Sequence, residues 1–148
     1  MKLLEIARLF KFVREAGANH GLRVEAIQHW CGGAPGDSWC CEFATMVLDL
    51  FFQGNAPIER QGSCADVMAF CDRKGWMVSA PQPGDLFFLV TDEGHAHHIG
   101  FVTSTGPLTA IAGNTSIDGA SANGDGVYEH ELLVGSNHIR FARVPGCG

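Results

Sequence analysis

The chain lacks any apolar run approaching the ~20 residues that span a bilayer, so a transmembrane helix is excluded on sequence. A signal-peptide core is missing too. The opening Met-Lys-Leu-Leu-Glu-Ile-Ala-Arg-Leu-Phe breaks each apolar stretch with charge, whereas Sec export needs about 7–15 unbroken apolar residues. Synthesis in the cytoplasm without Sec export is therefore expected. Basic residues are scarce: ten Lys and Arg stand against sixteen Asp and Glu, for a net charge of −6. A nucleic-acid binder needs a basic footprint, and none is present. No CxxC pair occurs, which weighs against a zinc ribbon or a thioredoxin-type redox motif. Internal repeats and low-complexity tracts are absent as well.

What the chain does contain is enough apolar material for a core. Its 148 residues are 46% hydrophobic, with a mean hydropathy of +0.07. A chain of this length buries roughly 68–70% of its unfolded surface, and one domain over 1–148 is expected. Charge is unevenly spread: residues 1–30 hold five basic and three acidic side chains, and residues 31–148 hold five and thirteen. That asymmetry reads as helix-surface chemistry. The six cysteines are Cys31, Cys40, Cys41, Cys64, Cys71 and Cys147. Without an export signal, reduced thiols are the default, and most of them read as small buried hydrophobes.

The pattern divides into a helical half, about 1–78, and a strand half, about 84–144. Leu3, Ile6, Ala7, Leu9, Phe10 and Val13 give residues 3–16 the spacing of an amphipathic helix. Residues 22–30 suit a short second helix before the loop 31–36. Asp37-Ser38 offers cap side chains for a third helix over 39–52, whose stripe is Phe43, Met46, Val47, Leu50 and Phe51. A fourth helix is expected over 63–74, with Val67, Phe70 and Cys71 inward. Strands are expected at 86–90 and 98–102, forming a hairpin around the turn 91–95, and at 108–112, 128–134 and 138–143. A Gly-, Asn- and Ser-rich loop covers 114–126. Helices followed by antiparallel strands point to an α+β domain with the N-terminal helices packed on a C-terminal antiparallel sheet.

Cys40 falls in the first turn of the third helix, where unpaired N–H groups and the helix dipole favour a thiolate. A depressed pKa is expected there, and the same amides can hold an oxyanion. The alternative is that Cys40 packs inward on the face of Phe43 and Val47. A thiol nucleophile needs a base, and the histidines cluster at His95, His97 and His98. Strand alternation groups His98 with Gly100 and Val102, opposite Ile99 and Phe101, so His98 can point at the helix. Asn114 is the candidate to fix the imidazole tautomer. Three histidines in a loop are otherwise commonly solvent-exposed.

Four segments in order resemble the CHAP peptidases of the NlpC/P60 superfamily. They are Gly36-Asp-Ser-Trp-Cys40-Cys-Glu-Phe43, Pro83-Gly-Asp-Leu-Phe-Phe88, His98-Ile-Gly-Phe-Val102 and Gly113-Asn-Thr115. The resemblance covers about 18–144. It implies a papain-like α+β fold and a cysteine amidase or endopeptidase that cuts an amide bond of the peptidoglycan stem peptide. It assigns Cys40 as nucleophile, His98 as base and Asn114 as orienter, with no metal or cofactor. Cys41 falls where the family has a small residue. Many members carry an acidic residue two positions before the asparagine, and here Ala112 stands in that place. Trp39 reads equally as cleft wall or as core, and Pro83-Gly84-Asp85 as a structural turn.

Two other classes remain open at this point. One is a zinc-binding hydrolase using His95, His97, His98 and a cysteine. The other is a non-catalytic module that binds wall peptides. An enzyme made without Sec export would reach the wall as an endolysin released through a holin, or as an antibacterial toxin delivered by a secretion system and paired with an immunity protein.

Overall fold

The computed structural model describes residues 1–115, 124–132 and 137–147. Among these the chain is α+β, with four helices and one six-stranded sheet. The helices are α1 (Leu3–Arg8), α2 (Leu22–Trp30), α3 (Cys40–Phe51) and α4 (Cys64–Arg73). The strands are β1 (Met77–Val78), β2 (Leu86–Val90), β3 (Ala96–Thr105), β4 (Leu108–Thr115), β5 (Gly126–Glu131) and β6 (His138–Ala142). The sheet order is β1-β6-β2-β3-β4-β5, and every neighbouring pair is antiparallel. No helix among the described residues is long and apolar enough to cross a membrane.

Helix α3 is the central element, and every residue from Cys40 to Leu48 is buried. One side meets α1 and α2 through Leu3, Ile6, Val24 and Ile27, and the other meets β3 and β4 through Ile99, Phe101 and Ile111. This burial exceeds the stripe expected from periodicity, since Ala44, Thr45 and Leu48 are also enclosed. The opposite face of the sheet carries a second cluster of Phe87, Leu89, Val102, Ala110, Ala112 and Phe141. Helix and sheet approach closely at Gly113. A Cβ there would lie 2.7 Å from Phe43 Cβ and 2.8 Å from Trp39 Cζ3, so only glycine permits that docking.

Three expectations need correction. The first helix ends at Arg8 and does not run to residue 16. Beyond it the chain turns to pair with the sheet edge: Val127 N–H donates to Val13 O and Glu15 N–H to Asp125 O. Leu9, spaced as if for a buried face, is exposed. Strand β4 continues through Asn114 and Thr115, where a loop was expected; residues 116–123 of that loop lie outside the described residues. The strand expected at 128–134 begins earlier, at Gly126, and its positions 133 and 134 lie outside them too.

The basic residues of the first segment serve this edge. Arg8 and Lys11 pair with Glu129 at 2.8 and 3.5 Å. Arg14 donates to the carbonyls of Lys11, Val13 and Val127 and stacks over Tyr128, 4.0 Å from the ring centroid. At the other side, Asp85 receives a two-pronged ion pair from Arg143, with Nε–Oδ1 at 2.9 Å and Nη2–Oδ2 at 2.8 Å. It also accepts from Gln82 N–H. The Pro83-Gly84-Asp85 turn is thus clamped to the segment following β6.

Candidate active site

Cys40 is the first residue of α3, with Trp39 as N-cap and no side-chain cap bond. The expected cap by Asp37-Ser38 is replaced by other contacts. The Ser38 hydroxyl accepts from Asn114 Nδ2 at 3.0 Å, and Asp37 Oδ2 accepts from Ala34 N–H at 2.8 Å. Leaving the first turn without a side-chain cap keeps its amides available to an anion or oxyanion. Trp39 is core: it is fully buried and donates from Nε1 to Glu15 Oε2 at 2.8 Å.

His98 is 1% exposed and packs edge-to-face on Phe87, with centroids 5.7 Å apart. The strand alternation holds: Ile99 and Phe101 join the helix-facing core, and Val102 joins the other face. His98 packs on Phe87 of the second cluster and also bears on the Cys40 thiol at the start of α3, where its hydrogen bond and charge pull the thiol pKa down against larger opposing effects. Its Nδ1 is buried with no hydrogen-bond partner among the described residues.

Asn114 is fully buried and sits at φ 50°, a left-handed conformation that asparagine tolerates. The β4–β5 register shifts between Ala112 and Thr115, a local irregularity of the type that re-aims a side chain. Phe101 pairs with Ile111 across β3 and β4, three positions along the chain from His98 and Asn114 respectively. Asn114 Oδ1 is buried without a hydrogen-bond partner among the described residues, an acceptor available to an imidazole N–H.

The expected depressed pKa of Cys40 is not found. The thiol is 2% exposed, and its pKa is raised well above the ordinary value. The largest cause is its hydrogen bond with Cys64, followed by burial, and the His98 contribution does not overcome them. The two sulfurs are 3.6 Å apart. Cys64 opens α4 just as Cys40 opens α3. For Cys64 the bond from Cys40 lowers the pKa, but Cys41 and burial outweigh it and the thiol is pushed up. These neighbours and burial favour the protonated thiol of Cys40 over its thiolate.

A cleft of about 280 Å³ opens over the thiol, lined by Ser38, Cys40, Ser63, Cys64, His95 and His97, among others. His97 also meets Asn137 Oδ1 through Nε2 at 2.9 Å. His95, His97, His98 and a cysteine do not converge: among the described residues no three His, Cys, Asp or Glu side chains are placed to hold a metal ion. Sequence reasoning missed Cys64 and Ser38. The available signal for Cys64 was its position at a helix start, directly after the cap residue Ser63.

Glu42, in the first turn of α3, is buried with Oε1 unpartnered. Burial, with a smaller push from Asp37, raises its pKa to about 7. Compared with protein-family models, curated proteins and solved structures, the chain matches none of them.

Proposed function

We propose that the protein is a thiol-dependent peptidoglycan hydrolase of papain-like, CHAP-type architecture, cutting an amide bond of the wall stem peptide as an amidase or endopeptidase. The observation that supports this reading is the set of contacts around the start of α3: Cys40 without a side-chain cap, His98 bearing on its thiol, and Asn114 bonded to Ser38, two residues before Cys40. The sequence resemblance assigns the chemistry to the same three residues, Cys40, His98 and Asn114.

Because the Cys40 thiol is held protonated, His98 takes its proton as the sulfur attacks the amide carbonyl. The first-turn amides of α3 hold the oxyanion. Asn114 Oδ1 accepts from the imidazolium and fixes its orientation. His98 then protonates the leaving amine, and water hydrolyses the thioester. The wall is the site of action, reached through a holin or a secretion system, with an immunity or inhibitor protein as partner in the second case.

Digestion of purified peptidoglycan, with products resolved by mass spectrometry, tests the reading. Wild-type protein should release stem-peptide fragments whose masses name the bond, and Cys40→Ala should release none. Equal cutting by Cys40→Ala removes the thiol mechanism. The burial and raised pKa of Cys40 favour a second reading, a module that binds wall peptides without cleaving them. In that case both proteins would bind fragments equally and leave them intact.

A further inference from the structure

The Cys64 thiol has no part in the mechanism above, yet it touches the nucleophile. We propose that Cys40 and Cys64 form an oxidation site, at which hydrogen peroxide converts the dithiol to a disulfide that joins the starts of α3 and α4. The sulfurs are already 3.6 Å apart, against the ~2.05 Å of an S–S bond. Both residues are the first of their helices, and side chains there tilt toward the helix N-terminus. The two thiols therefore lie beyond the helix ends, where closure strains less backbone than it would within a helix. Both also line the cleft, with Gly62 and Ser63 leading into α4, so a small oxidant has a route to them. Cys41, fully buried and absent from the cleft lining, has no such route.

The chemistry balances in two steps. The Cys40 sulfur attacks one peroxide oxygen as it gives up its proton, and the O–O bond breaks. That proton goes to the leaving hydroxide, giving sulfenic acid and water. The Cys64 sulfur then attacks the sulfenic sulfur and displaces its oxygen as a second water. Two thiol hydrogens and two electrons pass to the peroxide. The product holds the nucleophile in a bond that a thiol reductant reverses, and it prevents over-oxidation of Cys40 to sulfinic acid. That this switches off hydrolysis rests on the function proposed above; formation of the bond does not.

The test treats the reduced full chain with hydrogen peroxide, removes excess with catalase, alkylates under denaturing conditions and reads masses. Two of the six thiols should escape alkylation, the intact mass of a sample taken before alkylation should be lower by two hydrogens, and dithiothreitol should restore both. Trypsin cleaves after Arg23, Arg60 and Arg73, so the cross-link joins peptide 24–60 to peptide 61–73, and fragmentation should assign it to Cys40 and Cys64. Cys41→Ser should keep the cross-link. Cys64→Ser should lose it and gain oxygen on Cys40. A disulfide between other cysteines, oxygen gain on the wild type without loss of hydrogen, or no mass change in large peroxide excess each overturns the proposal. The wild-type assignment needs no variant to fold. Because every readout is a mass, failure here is separable from failure to cut peptidoglycan.

Discussion

At Cys40 two neighbours pull the thiol in opposite directions. His98 favours the thiolate and Cys64 the thiol, and Cys64 together with burial prevails. Replacing Cys64 with Ala removes the largest of the raising contributions. Alkylation of Cys40 by iodoacetamide near neutral pH should then accelerate, since a downward pKa shift raises the thiolate fraction. Unchanged reactivity would mean that burial alone sets the pKa.

Glu42 leads to a stability prediction at the same scale. Its folded pKa, about 7, lies above the ordinary 4.5, so the folded state binds more protons between those values. Stability should be full below about pH 4.5 and fall as pH rises toward about 7. Urea unfolding of wild type and Glu42→Gln across this window should show the decline in the wild type and a flatter profile in the variant.

Among the elements, the α3–β4 contact sets the site. Gly113→Ala places a methyl against Phe43 and Trp39 and should cost about 1–3 kcal/mol in urea unfolding. By shifting β4 it should also disturb the Ser38–Asn114 bond. Helix α3 was legible from its i, i+3, i+4 spacing because burial follows that spacing directly. The start of the first helix was legible and its end was not: Val13 satisfies the helical period but contributes its carbonyl to β5, a partner more than a hundred residues away. The two-residue β1 leaves no periodicity to read; it exists because β6 offers an edge. Cys40, His98 and Asn114 were each legible as candidates. The thiol's protonation was not, because it depends on Cys64, 24 residues distant and visible only once α3 and α4 are docked.

For the whole molecule, the Asp85–Arg143 clamp ties the turn before β2 to the chain after β6. Asp85 is 2% exposed while the Arg143 side chain keeps a third of its surface in water. Removing the buried partner should therefore cost less than the 3–5 kcal/mol of a fully enclosed pair. About 2 kcal/mol is expected for Asp85→Ala, read as a lowered urea midpoint with unchanged m-value. The clamp was half legible: Pro-Gly-Asp announces a turn, but nothing local names its arginine.

The sheet order has a bearing on biosynthesis. Strand β6 lies inside the sheet, between β1 and β2, so β1 has no neighbour until β6 has left the ribosome. The helices and the β2–β4 meander can gather earlier, with the β2 edge open. A nascent chain stalled before residue 138 would thus carry Cys40, His98 and Asn114 on an incomplete sheet. The sheet that carries the candidate site residues is therefore completed only once β6, the most C-terminal strand among the described residues, has been made.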